Sequence, residues 1–385
     1  MKAARCLTPL ALASLLLTGC WSQMELTERA FVLALAIDKG EKDKLEVTAQ
    51  IYKPISQFGP PSGRSDEVSF NNVTLQGTSV SNIIRNTKTV TGRHAQFSHI
   101  QIVLISEEVA RERLGELFDF FYRDPETRLG TSVMIARGRA RDYLAGRAMI
   151  ESTLGSQLFK QLDFSAHLAG KSLNTTILDL AFGLKSESET AMLPIVTRNS
   201  GQRQVVVQGV ALAKPDRVVG SIPPDKVPYL LLLAGRYKYG LLEIPCEGDA
   251  GLAETIEVLR ADTKLTPTLK GRSASARIEV EINASISELA CTTIRGMADE
   301  AKFADRIAKY FKERMESVLD TLRKRKTDAL GIGHRLYLRH PGEWRKIKPE
   351  WPEIYARMPI DLAVKVNILN SKMMNPEPFS RIDDH

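Results

Sequence analysis

Cysteine is scarce in this chain, and long hydrophobic runs are absent beyond its first 19 residues. Only 4 of the 385 residues are cysteine, and none of them are paired at the spacing of zinc ligands. No later stretch approaches the roughly 18 consecutive apolar residues of a membrane-spanning helix. The motifs of nucleotide-binding folds, serine hydrolases and zinc peptidases are also missing. We therefore predict a non-enzymatic protein, without a metal site, and with no membrane span after its N-terminal segment.

The N-terminal segment has the order of a bacterial lipoprotein signal peptide. Lys2 and Arg5 precede an apolar run from Leu7 to Leu17, and Leu17-Thr18-Gly19-Cys20 closes it. The run is shorter than the roughly 20 residues that span a bilayer, so it predicts a cleaved signal. We expect cleavage to remove residues 1–19 and Cys20 to carry diacylglycerol on its sulfur, with or without an N-acyl chain. Two acyl chains give a stable anchor, so this lipid is the only cofactor that we predict.

The alternative is an ordinary secretory signal with an incidental cysteine. Ala11-Leu12-Ala13 resembles a cleavage site of that kind, but it lies inside the apolar run and not at its end. Its position favours the lipoprotein signal and a location outside the cytoplasmic membrane.

Positive charge is concentrated towards the C-terminus. Residues 299–357 hold 15 basic and 10 acidic side chains, and Arg323, Lys324, Arg325 and Lys326 end a predicted helix. Cations complement the dipole at a helix C-terminus, so these four residues are either a solvated helix end or a contact with a partner or lipid headgroups. No stacking aromatics or nucleic-acid motifs accompany them, so we predict no nucleic-acid partner.

Cys246 and Cys291 remain once the signal is removed and Cys20 carries lipid. Two cysteines lack the number and spacing of a zinc site. They are either buried thiols or one disulfide, which an oxidising compartment permits. Cys246 ends one predicted strand and Cys291 follows another, and we hypothesise that the two lie close together.

The hydrophobic periodicity predicts a mixed α/β (α+β) fold of three sheet-and-helix domains. Strand and helix patterns alternate over residues 20–200, which form the first predicted domain. Residues 201–260 are β-rich and form a small middle domain. Residues 261–385 form a C-terminal α/β domain that contains the longest predicted helix, residues 297–326, with apolar residues at spacings of three, four or seven.

The segment from Arg123 to Arg128 concentrates four charges in six residues at the end of a predicted helix. Pro125 ends that helix, and Arg123 suits its C-terminus, so local capping and pairing explain much of the segment. The alternative is a binding face.

Several segments together resemble the Ger(x)C family of spore germination lipoproteins. In the first half these are Cys20-Trp21 with Glu25, Ile37-Asp38, Phe97-Ser98-His99 leading to Leu104–Ala110, and Arg123-Asp124-Pro125-Glu126. In the second half they are Gly209–Leu212, Arg217–Gly220 and the stretch from Gly331-Ile332-Gly333 to Trp344 and Trp351. Ser22-Gln23 and Leu212 depart from the family pattern, where an acidic residue and an aromatic are usual.

The resemblance implies a non-enzymatic C subunit of a nutrient germinant receptor, made of three mixed α/β domains. It also implies attachment through Cys20 to the outer face of the spore inner membrane, beside two integral-membrane subunits. No catalytic or ligand residues follow from it. The competing class is an extracellular solute-binding lipoprotein of a transporter, which needs two similar lobes around a ligand cleft. The β-rich stretch from Val205 to Leu289 argues against that class.

Overall fold

A computed structural model describes residue 25 and residues 28–53, 69–198, 204–246 and 248–370. Cys20 and the predicted signal peptide lie outside the described residues. No helix in the described ranges is both long and apolar enough to cross a membrane. The fold is mixed α+β, as predicted, and is built on two sheets.

The large sheet has nine strands in the order β3-β2-β1-β5-β6-β7-β8-β9, with β4 paired to the start of β1. β1, β5, β6 and β7 run parallel, whereas β2 and β3 on one side and β8 and β9 on the other run antiparallel. The strands are β1 Arg29–Lys39, β2 Leu45–Tyr52, β3 Phe70–Gly77, β4 His94–Gln96, β5 Ile102–Ser106, β6 Ser132–Ala136, β7 Ala191–Arg198, β8 Val205–Ala213 and β9 Val218–Ile222.

Helices cover both faces of the large sheet. They are α1 Val80–Thr91, α2 Glu107–Glu112, α3 Leu114–Arg123, α4 Leu154–His167 and α5 Ile177–Lys185. Side chains of a strand alternate between its faces, so Leu35 and Ile37 pack with α1, α2, α3 and α5, whereas Ala34 and Ala36 pack with α4. The pattern from 107 to 122 predicts one helix, but the chain leaves helical dihedrals at Arg113 (φ −137°). Just after the break, Gly115 packs against the carbonyl of Pro215, from which a Cβ would lie only 2.7 Å away.

The small sheet has the order β10-β11-β12-β13. Its strands are β10 Gly240–Cys246, β11 Asp249–Lys270, β12 Ser273–Glu288 and β13 Ile360–Asn370. The helices of this half are α6 Val227–Leu233, α7 Met297–Lys324, α8 Ile332–Arg339, α9 Pro341–Ile347 and α10 Trp351–Arg357. α7 is the longest helix that the sequence predicts, although it ends at Lys324 and not at Lys326.

One hydrophobic core joins the small sheet to the end of the large one. It packs Phe311 and Leu322 of α7 with Val210 and Leu212 of β8 and Ile222 of β9. The strands of residues 201–260 are divided between the two sheets: β8 and β9 belong to the large sheet, and β10 and the first part of β11 belong to the small one. Among the described residues this segment has no sheet of its own, and the three-domain division stays a prediction.

Candidate functional site

Cys246 and Cys291 form a disulfide in the structure. Their Sγ atoms are 2.09 Å apart and their Cα atoms 6.1 Å apart. The bridge connects the end of the edge strand β10 to the segment that leads into α7. It closes a loop across the small sheet. The described ranges hold no group of three or more His, Cys, Asp or Glu side chains that could bind a metal ion.

The basic cluster at the end of α7 is largely used inside the protein. Arg323 Nη2 donates to the carbonyl of Met358 at 3.0 Å, and Arg325 Nη1 donates to the carbonyl of Val219 in β9 at 2.8 Å. These bonds hold the end of α7 against β9 of the large sheet and against the segment just before β13.

The other two cations of the cluster differ from each other. Lys326 Nζ pairs with Glu353 of α10. Lys324 is exposed and makes no hydrogen bond or ion pair with any described residue. The positive charge that the cluster can offer to an external partner is therefore smaller than the sequence indicates.

A loop of the first half inserts among the helices of the second half, and we call this contact the inter-sheet joint. Ser188, between α5 and β7, donates from Oγ to Asp328 Oδ2 at 2.8 Å and accepts from the backbone N–H of His334 at 3.0 Å. Asp328 also accepts from the N–H groups of Ile332 (2.9 Å) and Gly333 (2.6 Å) at the start of α8. Burial raises the pKa of Asp328, and these donors oppose that rise.

Two tryptophans complete the inter-sheet joint. Trp351 Nε1 donates to Asp328 at 3.3 Å, and Trp344 Nε1 donates to Glu187 Oε2 at 2.7 Å. Their rings pack edge to face with centroids 5.0 Å apart. Lys348 pairs with Glu187 at 2.8 Å, and this bond and the one from Trp344 hold the pKa of Glu187 below its ordinary value.

The sequence missed the central acid of this joint. Asp328 follows a helix that ends in cations, and its environment there suggests a solvated turn. The neighbouring Gly331-Ile332-Gly333 was the available signal, because a Cβ on Gly333 would come within 2.6 Å of Trp344 and 2.8 Å of Trp351 Nε1. Glycine at this position lets α8 approach both indoles, so the family-like residues of the second half build the joint.

A second arrangement is a groove between α1 and α3 on one face of the large sheet, which we call the α1–α3 groove. Both helices begin near the end of β1, because Arg113 before α3 donates to the carbonyls of Asp43 (3.1 Å) and of Thr78 (3.4 Å), which lies just before α1. Both end near the start of β1: α1 leads into β4, which pairs with that start, and Thr131 after α3 bonds to the carbonyl of Ile100 at 3.1 Å. The helices therefore run parallel, and the groove between them has a volume of about 550 Å³.

Two segments that carry the family resemblance meet in the α1–α3 groove. Phe97, from Phe97-Ser98-His99, lies in the floor, and Arg123-Asp124-Pro125-Glu126 forms one end. The rest of the floor is apolar and consists of Val80, Ile84, Ala95 and Phe120. The fold thus places two distant family-like segments on one surface.

The acids on the α3 side of the groove are mostly satisfied within the chain. Glu116 accepts two hydrogen bonds from Arg113, at 2.8 and 2.6 Å, and Asp119 accepts from Arg123 Nε through both oxygens at 2.8 Å. Asp124 Oδ1 accepts from the backbone N–H of Glu126 at 2.7 Å. Local pairing therefore explains the arginine and the aspartate of the Arg123–Glu126 segment, while the side chain of Glu126 is exposed and has no described partner.

The α1 side carries two cations, Arg85 and Lys88. Both are exposed and line the groove, and neither side chain makes a hydrogen bond or ion pair with any described residue. The arrangement as a whole, an apolar floor between charged walls, is suited to binding an amphipathic ligand.

Comparisons with known proteins match both halves of this chain to spore germination proteins. A family described as "Spore germination protein N-terminal domain" matches residues 22–198, and one described as "Spore germination B3/ GerAC like, C-terminal" matches residues 208–372. Spore germination protein B3 of Bacillus subtilis (strain 168) is 22% identical over 379 residues, covering 96% of this chain and 98% of that protein.

Two further relatives extend the comparison. Spore germination protein KC of the same strain is 22% identical and covers 94% of this chain and 95% of that protein. The crystal structure of the GerBC protein is 19% identical, has a TM-score of 0.58, and covers 87% of this chain and 97% of that chain. The structural likeness confirms the mixed fold, and the two family matches together span nearly all of the sequence after the predicted signal. The chain therefore belongs to the Ger(x)C family of spore germination proteins.

Proposed function

We propose that this protein is a lipid-anchored, non-enzymatic subunit of a spore nutrient germinant receptor. Its membership of the Ger(x)C family, across both halves of the chain, is the observation that carries the proposal. Cys20 would hold it on the outer face of the spore inner membrane, where it would act in germination signalling with two integral-membrane subunits. The non-enzymatic part of the proposal rests on its relatives, which are named for germination and not for a reaction.

The inter-sheet joint favours a subunit whose two halves move together and not as two hinged lobes. A solute-binding lipoprotein closes by hinge bending between two lobes. Here the two sheets differ in strand number and topology, share a hydrophobic core, and are fastened through the buried carboxylate of Asp328. Closure around a ligand would have to break that core, so we favour the receptor subunit over the transporter protein.

The test of this proposal starts with the lipid. In a Cys20→Ala variant we expect no thioether-linked lipid by mass spectrometry and no cleavage before residue 20, because the modification is made on that sulfur. Cys6→Ala is the matched control, since Cys6 lies inside the predicted signal and should leave lipidation unchanged.

Co-purification then separates the receptor from the transporter. Detergent extracts of spore membranes should yield the lipidated protein with two integral-membrane subunits, and germination should weaken in the Cys20→Ala strain. Recovery of a permease with an ATPase would instead support the solute-binding alternative. A Cys20→Ala protein that still carries lipid would refute the anchor.

A further inference from the structure

The two free cations of the α1–α3 groove stand on the same side of α1. Arg85 and Lys88 are three residues apart, so they lie one helical turn apart on neighbouring positions of the helix surface. Both side chains are exposed above the apolar floor of the groove. Charges that have no partner within the chain are available to a ligand without the loss of an existing ion pair.

The opposite wall offers little positive or negative charge except at one end. Arg113 neutralises Glu116, and Arg123 neutralises Asp119. At the end of the groove, Asp124 accepts only from a backbone N–H, and the side chain of Glu126 is exposed without a described partner, so both acids keep their negative charge. The uncompensated charge is therefore positive along α1 and negative at the end formed by the Arg123–Glu126 segment, and a complementary ligand carries acids on one side and a base at one end.

The floor has the length and chemistry of a helix-binding groove. α1 has 12 residues, which gives a length of about 18 Å, or about three helical turns. Ile84 and Phe120 are half-buried in the floor and would be covered by an apolar helix face. An amphipathic helix that places apolar side chains in a groove between two helices is a recurrent mode of protein recognition.

A lipid on Cys20 would place this groove near the membrane. Eight peptide steps separate Cys20 from Glu28, just before β1, so the chain can span at most about 28 Å between the lipid and the sheet. The Glu126 end of the groove lies on the side of the large sheet where β1 begins. The chain after α3 leads to the N-terminal end of β6, which lies beside the N-terminal ends of the parallel strands β5 and β1. A lipid on Cys20 would therefore hold this end within reach of the extracytoplasmic segments of an integral-membrane protein.

We propose that the α1–α3 groove binds an amphipathic helix of an integral-membrane receptor subunit, with carboxylates facing Arg85 and Lys88 and a basic residue facing Glu126. This inference rests on the proposed function for the identity of the partner. It assigns the contact to this groove and not to the basic cluster at the end of α7, three of whose four cations are used within the chain.

Site-specific photo-crosslinking in spores tests the contact directly. p-Benzoylphenylalanine placed at Ile84 or Phe120 of the full-length lipidated chain should form an adduct with one integral-membrane subunit, identified by mass spectrometry. The same probe at Leu338, which is 66% exposed on α8, is the control and should give no such adduct.

Charge reversal tests the complementarity. An Arg85→Glu, Lys88→Glu variant should lower adduct yield and subunit co-purification about tenfold, since two attractive pairs become repulsive. Lys309→Glu, Lys312→Glu is the matched control: these lysines have the same spacing, are exposed on α7, and make no hydrogen bond or ion pair with any described residue. If the Glu variant has a lower thermal midpoint than the wild type, the Arg85→Gln, Lys88→Gln variant is measured in its place and should give a smaller loss of the same sign.

The outcomes separate this inference from the proposed function. If the wild-type chain co-purifies with no integral-membrane subunit, the proposed function fails and the groove assignment fails with it. If the subunits are recovered but the groove probes give no adduct, or cross-link to lipid or to a second copy of this chain, only the groove assignment fails. The groove assignment also fails if the Arg85→Glu, Lys88→Glu variant and the Lys309→Glu, Lys312→Glu control lose the partner to the same extent.

Discussion

Ser188 Oγ donates a hydrogen bond to Asp328 Oδ2 over 2.8 Å, and the two residues are 140 positions apart in the chain. The bond crosses from the loop before β7 of the large sheet to the loop before α8 beside the small sheet. Asp328 is only 3% exposed, and all of the groups that contact its oxygens are donors. A buried carboxylate in this setting depends on every one of those donors, because an unpaired buried charge is costly.

Asp328→Asn should therefore lower the free energy of unfolding by about 2–4 kcal/mol, since an amide nitrogen would face N–H and O–H donors. Urea unfolding of the purified full chain measures the change. Asp320→Asn is the control, because Asp320 is 62% exposed at the side chain, and its effect should stay within about 0.5 kcal/mol. Equal stability of the Asp328 variant and the wild type would show that the joint does not hold the sheets together.

Acid should weaken the same joint through Glu187. Bonds from Lys348 and Trp344 hold the pKa of Glu187 below its ordinary value of 4.5. A depressed carboxyl pKa contributes stability above the ordinary value, and this stability is lost as the pH falls through the folded-state pKa. The difference in unfolding free energy between the wild type and Glu187→Gln should therefore shrink from about pH 7 to about pH 3. A difference that is constant with pH would mean that the carboxylate charge plays no part in the joint.

The basic cluster should divide into contributing and neutral members. Arg325→Ala removes the bond to the Val219 carbonyl between α7 and β9, and we expect a loss of about 1–2 kcal/mol in unfolding free energy. Lys324→Ala, at an exposed position without a described partner, should change it by less than about 0.5 kcal/mol. If both variants match the wild type in stability but no longer co-purify with membrane subunits, the cluster contacts a partner and does not stabilise the fold.

The disulfide should stabilise the small sheet against unfolding. Cys246 and Cys291 are 45 positions apart, and closing a loop of that size contributes about 4 kcal/mol in the chain-entropy model. A Cys246→Ser, Cys291→Ser double variant should lose up to that amount. Intact-mass analysis after alkylation of the unfolded, unreduced protein checks the bond itself, and two alkylated thiols would exclude it.

Local sequence patterns predicted most of the helices and strands, because the spacing of apolar residues differs between the two. The β1–β2 hairpin and the helix now seen as α7 follow from alternation and from spacings of three and four. The hydrophobic patterns of residues 254–259 and 264–269 each indicate a strand, but in the structure both belong to one strand, β11. Its polar interruption, Arg260 and Asp262, pairs on the exposed side at 2.6 Å, and a register shift near Val258 lets pairing with β12 continue.

The sequence by itself determined the mixed fold class and the family to which the chain belongs, and it predicts the signal peptide and its cysteine. Each of these depends on the order and spacing of neighbouring residues. The tertiary structure alone decided that Asp328 meets Ser188, that three of the four clustered cations are used internally, and that Phe97 and the Arg123–Glu126 segment share one groove. Such contacts join residues tens to hundreds of positions apart. Their partners are fixed by how the helices pack on the two sheets, and no local pattern encodes that packing.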